Sequence, residues 1–216
     1  MVGRLWLTAT RVPWSAGTPY VAVFHCCSIF CFSASATAHA LGPVVPLERS
    51  RSLWRTDLKG IVIQIGGSFV PGLRWGFRCR PVAMGTYAGV LLPLQGWSLS
   101  LSSAPVGSPK NKLFVRIASA SATWALLPLC HFCTFATREE LVLVVLPTFA
   151  MLACYGLGLL FFLFHPIERL LPGMMDDLGG LGSHFVWHLC CVAAVYLWDL
   201  VCQRLLDRSW DPNACH

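Results

Sequence analysis

The chain has 216 residues, of which 56% are hydrophobic and only 12% charged, and its mean hydropathy is +0.62. A soluble globular domain carries about twice that charge, so the composition excludes an ordinary soluble enzyme or binding module and indicates an integral, multi-pass membrane protein. The formal net charge of +6 is spread over links and helix ends, where it reads as topology and lipid-surface charge; nothing in it suggests nucleic-acid binding.

A helix needs about 20 apolar residues to cross the hydrocarbon core. Six stretches qualify: Tyr20–Leu41, Leu58–Cys79, Val82–Leu101, Leu113–Cys133, Leu141–Phe164 and His184–Cys202. The expected fold class is therefore all-α, a polytopic transmembrane bundle of six helices. Residues 1–18 read as an N-terminal segment outside it, 19–205 as the bundle and 206–216 as a C-terminal tail. Leu5–Thr10 is too short for the apolar core of a signal peptide and is soon broken by Arg11 and Pro13. The multi-pass character places the chain in the plasma membrane or in an endomembrane such as the Golgi or endoplasmic reticulum.

The links Gly42–Arg55, Ser102–Lys112 and His165–Gly182 carry prolines, glycines and cations, and all fall on one side of the membrane. Positive charge there makes that side cytoplasmic, although Arg74, Arg78, Arg80 and Arg138 on the other side weaken the bias. Small residues such as Gly66, Gly67, Gly72, Gly156 and Gly158 permit close helix approach, and Pro71, Pro128 and Pro147 are expected to kink their spans. The eleven cysteines lie mostly within apolar runs, with no repeated CxxC at zinc-finger spacing, and read as small buried hydrophobes.

The informative residues are the polar ones that do not belong in lipid. His184 and His188 are four apart at the start of the sixth span, so their imidazoles share a helix face and can reach one ion. Two hydrogen-bonded interior histidines are the alternative. His39 ends the first span and Asp57 begins the second. Counting crossings puts His39, Asp57, His184 and His188 at similar depth near one face. Three imidazoles, an open position and a nearby acid are what a catalytic zinc site requires. Ser35 lies one turn before His39. His25 and His131 read as packing residues, His165 and His216 as loop and tail residues. Asp199 is expected to meet water or Arg204, and Arg74 to snorkel.

Three blocks carry a resemblance. SASATAH, DLKGIVIQIGGSFVP and PIERLLPG…SHFVWHLCCVAAVYL occur in that order. They resemble the S-x-x-x-H, D-x-x-G-I…GS-x-x-P and P-x-ER-x-x-PG…SH-x-x-x-H blocks of the progestin and adipoQ receptor family, which includes adiponectin receptors and haemolysin-III-like proteins. The match runs from about Val23 to Leu200, and the six spans correspond to helices two to seven of a seven-helix fold, with no counterpart of the family's first helix before Tyr20. Phe185 stands where the family usually has Gln.

The resemblance implies a zinc ion held by His39, His184 and His188 near the cytoplasmic face, with Asp57 holding the zinc-bound water and Ser35 in the same polar cluster. The family's similarity to alkaline ceramidases implies hydrolysis of a lipid amide. In that chemistry Asp57 moves the proton to the leaving amine and Ser35 donates to the developing oxyanion. A sphingolipid-like or steroid-like membrane lipid is the expected partner, with a protein or hormone ligand as a further one. A non-catalytic receptor or interaction protein with structural zinc is the competing reading. A bis-histidine haem protein fits less well, since only one HxxxH pair exists.

Overall fold

The computed structural model describes residues 17–104, 108–124, 126–172 and 182–207. The expected segment 1–18 and tail 206–216 lie almost wholly outside these residues, as does most of the glycine-rich part of the fifth link. All regular structure among the described residues is helical. In chain order the helices are α1 (Thr18–Leu41), α2 (Leu47–Gly76), α3 (Pro81–Leu101), α4 (Pro109–Thr123), α5 (Leu126–Cys133), α6 (Arg138–Phe164), α7 (Pro166–Leu170) and α8 (Ser183–Asp207). Four stretches are long and apolar enough to cross a membrane: Thr18–Leu41, Lys112–Cys133, Arg138–Phe164 and Ser183–Leu206. The protein is an all-α integral membrane protein.

The helices fall into two compact units, one running to Thr134 and including Leu206, the other Phe135–Leu205. In the first unit, α1 and α2 form an antiparallel pair. Gly60 and Gly67, two turns apart on one face of α2, meet Cys31 and Cys27 of α1. A Cβ at Gly60 would stand 3.0 Å from the Cys31 Cα, and one at Gly67 would stand 2.6 Å from the Cys27 Cβ and 2.7 Å from its Sγ. The two backbones therefore pack closer than any residue larger than glycine allows. Val62 of α2 joins Phe114 and Ala118 of α4 in a buried cluster covered by Leu58, Leu99 and Leu101.

In the second unit, α6 opens with a reciprocal cap. The Thr137 hydroxyl accepts the Glu140 N–H at 3.2 Å, and the Glu140 carboxylate accepts the Thr137 N–H at 2.9 Å. A π-helical turn over Leu141–Val145 follows, just before Pro147. Proline has no N–H to donate and its ring crowds the carbonyl four residues back; a wider turn accommodates both. Helix α6 ends at His165, whose φ of 46° is left-handed and turns the chain into Pro166. Gly158 packs α6 against α8: a Cβ there would lie 2.8 Å from the Cys190 Cβ and 2.9 Å from the Trp187 Cε3. Removing the cap with Thr137→Ala should lower stability by about 1 kcal/mol, read as a drop in the thermal midpoint in detergent.

The helix limits differ from the apolar stretches for physical reasons. Helix α2 begins at Leu47, eleven residues before the apolar run. Its first turns are polar and carry an Arg51–Glu48 pair at 3.0 Å, so hydropathy does not detect them although their residues are good helix formers. The link after α1 is correspondingly short. The fourth stretch is two helices, α4 and α5, parted just before Pro128.

Candidate metal centre

The α1–α2 register places His39 and Asp57. Extending the contacts of Cys27 with Gly67 and Cys31 with Gly60 by two more turns brings the end of α1 to the polar start of α2. There the His39 Nε2 stands 3.9 Å from the Asp57 Oδ2, with the Asp57 side chain only 15% exposed. This distance exceeds a hydrogen bond and leaves the two groups able to share a third atom. The Trp54 indole meets the His39 ring edge-on, with centroids 4.8 Å apart, and limits how the imidazole can turn. Ser35 lies half-buried one turn before His39 on the same helix.

His184 and His188 stand together at the start of α8, within the second unit. The Nε2 atoms of His184 and His188 are 3.0 Å apart and the rings nearly perpendicular at 86°. Two imidazole nitrogens on one tetrahedral zinc stand about 3.3 Å apart, given metal–nitrogen bonds of about 2.0–2.1 Å. The pair therefore has close to the spacing of two ligands to one ion, which is also the spacing of a hydrogen bond between the two rings. The Phe162 ring packs against His184 and Trp187 at centroid distances of 5.7 and 5.6 Å.

The sequence-derived residues thus appear as two pairs, His39 with Asp57 and His184 with His188. Trp54 and Phe162, which orient the histidines, were not among them. Trp54 lies three residues before Asp57, on the same side of a helical turn, which is the one signal that could have marked it. Glu168 is a further neighbour: its carboxylate accepts the Ser183 N–H at 2.7 Å. The Ser183 hydroxyl first, with backbone N–H groups including that of Ser183 beside it, holds the Glu168 carboxyl below its ordinary range. A depressed carboxyl stabilises the fold above the unfolded-state pKa and loses that contribution as pH falls through the folded-state value. Hydrogen-exchange protection at Ser183 should therefore persist below the usual glutamate range and fall only at more acid pH.

Other expectations fare unevenly. His25 is fully buried, as a packing residue should be. His131 Nδ1 lies 2.9 Å from the Tyr87 hydroxyl and the ring packs beside Phe77. Arg74 lays its guanidinium 5.4 Å from the Tyr20 ring centroid. His216 lies outside the described residues. Asp199 does not face water: it is 3% exposed and accepts the Gln203 amide at 3.3 Å. Its place about two turns before the helix end suggested water, but the apolar residues around it on α8 are themselves buried.

The haemolysin-III-related family profile matches residues 2–198. The chain belongs to this family. The match begins about thirty residues earlier than the first of the blocks that suggested it. This family member is 30% identical over 178 residues to a heptahelical transmembrane protein named ADIPOR1 of Oryza sativa subsp. japonica, covering 79% of this chain and 46% of that protein. It is 28% identical over 181 residues to the adiponectin receptor protein of Drosophila melanogaster, covering 79% of this chain and 38% of that protein. The chain thus spans less than half the length of these relatives. Membership supports the progestin and adipoQ receptor resemblance read from the three sequence blocks.

Proposed function

We propose that this chain is a receptor-like membrane protein of its family in which His39, His184 and His188 hold one zinc ion, each through one imidazole nitrogen. The observation that carries this reading is the His184–His188 pair, whose 3.0 Å nitrogen spacing matches two ligands on one tetrahedral ion. His39, fixed by Trp54 beside Asp57, is the third. A zinc ion so held supplies Lewis-acid polarisation of a carbonyl and of water.

The chain's own residues supply the rest. Asp57, 15% exposed and beside a half-buried imidazole, accepts a proton at Oδ2 and returns it to a leaving amine. Ser35 offers a hydroxyl donor one turn from His39 on the same helix. The substrate class is a membrane lipid amide, sphingolipid-like in body, whose apolar chain suits a protein made of apolar helices. A steroid-like lipid sensed without turnover is the receptor form of the same reading. The compartment is the plasma membrane or an endomembrane such as the Golgi or endoplasmic reticulum.

The test is zinc content and turnover of a short-chain fluorescent ceramide by detergent-purified protein. Asp57→Asn should keep the zinc and lower turnover by about 100-fold or more. Stoichiometric zinc without turnover in the unaltered protein would remove the hydrolase and leave the receptor with a structural ion. Turnover in the absence of zinc would overturn the metal reading.

A further inference from the structure

Helix α8 carries both His184 and His188, and its start is built in an unusual way. The Gly182 carbonyl accepts the Phe185 and Val186 N–H groups at 3.0 and 3.3 Å, so the helix begins at Ser183. The Ser183 N–H then has no acceptor within its own helix. Glu168, fifteen residues earlier, accepts it through Oε1 at 2.7 Å. The favour is returned: the Ser183 Oγ accepts the Ile167 N–H at 3.0 Å. That amide belongs to the first turn of α7 and is itself unsatisfied by its helix. Two helix starts thus cap each other, in the manner of a capping box whose halves come from different elements.

The surroundings enforce this arrangement. Ser183 is fully buried. A side chain at Gly182 would run into the Glu168 Oε1, so any larger residue there displaces the carboxylate from the Ser183 N–H. The Glu168 Oε2 is shielded from solvent and has no hydrogen-bond partner among the described residues. A carboxylate at a helix N-terminus also gains from the helix dipole. Upstream, the left-handed His165 ties α7 to the end of α6, and Phe162 of α6 packs on His184. The first turn of α8 is therefore clamped at both its backbone and its imidazole.

We infer that Glu168 is a positioning residue for the histidine pair: with Ser183 it sets where α8 starts, and so where the His184 and His188 imidazoles point. The positioning role rests on His184 and His188 being metal ligands; the cap itself does not.

The test compares Glu168→Ala with Glu168→Gln in the full-length, detergent-purified protein. Glutamine keeps a carbonyl acceptor for the Ser183 N–H; alanine does not. The first readout is hydrogen exchange of residues 183–188 in protein stripped of metal. Alanine should speed exchange there by about tenfold, one hydrogen bond's worth, and glutamine should restore most of the protection. The second is zinc affinity, with the visible spectrum of the cobalt-loaded protein. Alanine should weaken zinc binding by about 10–100-fold and alter the cobalt spectrum, and glutamine should bring both back toward the unaltered protein. Unchanged exchange in the alanine variant would overturn the cap. Faster exchange with unchanged zinc affinity and cobalt spectrum would overturn the positioning role. If the unaltered protein binds no zinc, the metal proposal and the positioning role fall together, while exchange still decides the cap. Should the alanine variant not fold, Ser183→Ala, which removes the hydroxyl that accepts the Ile167 N–H and supports the Glu168 carboxylate but keeps the Ser183 N–H, should change both readouts in the same direction by less.

Discussion

Replacing His184 or His188 by Ala should reduce zinc in the purified protein from about one ion per chain to nearly none, because either change takes one imidazole from a three-ligand set. The two residues are one turn apart with their nitrogens 3.0 Å apart, so neither can be lost without leaving the other with a non-ligand neighbour. His131→Ala is the matched control. It removes an imidazole from a membrane-spanning stretch and breaks the 2.9 Å contact with Tyr87, yet it should leave zinc content unchanged. Equal zinc loss in all three variants would mean that metal is lost through general unfolding, and the ligand assignment would fail. Thermal midpoints measured on metal-stripped samples separate the two outcomes.

Gly67→Ala should have the second large effect. A methyl there would stand 2.6 Å from the Cys27 Cβ and 2.7 Å from its Sγ; the Sγ can rotate away but the Cβ is fixed by the backbone, so helix α1 must move away from α2. Overpacking of this kind costs about 1–3 kcal/mol, and the displaced helix is the one that carries His39 toward Asp57. Zinc affinity should therefore fall together with thermal stability. Exchanging the partners, Gly67→Ala with Cys27→Gly, restores room for the methyl and should recover most of both. If the single variant is as stable as the unaltered protein, the α1–α2 register is wrong. If the double variant recovers nothing, the clash is not the cause.

Much of this was written in the residues themselves. Among the described residues the six apolar runs are largely helical, because membrane-length hydropathy is a strong signal, but only four helical stretches are long and apolar enough to cross a membrane. The His184–His188 pair was legible from its spacing of four, and the partnership of His39 with Asp57 from their places at facing helix ends. What stayed hidden depended on contacts between distant residues or on polar helix. The early start of α2 at Leu47 has no hydropathy signal. The π turn at Leu141–Val145 answers to a proline two residues later, and such local widening leaves no periodic trace. Trp54 looks like an interfacial tryptophan until the His39 ring is seen against it. Glu168 stands out in the sequence only as part of the PIERLLPG block, and only the fold reveals that its carboxylate serves a helix fifteen residues on. Asp199 was misjudged because sequence position near a helix end suggests water, whereas burial is decided by what packs around it.

The central claim is that three imidazoles of this chain bind a single zinc. X-ray absorption at the zinc edge, recorded on the full-length protein purified in mild detergent, addresses it most directly. The account predicts about one zinc per chain with about three imidazole nitrogens at about 2.0–2.1 Å and no sulfur ligand. In His39→Ala it predicts loss of the metal or of one imidazole from its shell. A sulfur shell from the cysteines, or an imidazole count unaltered in His39→Ala, would contradict it.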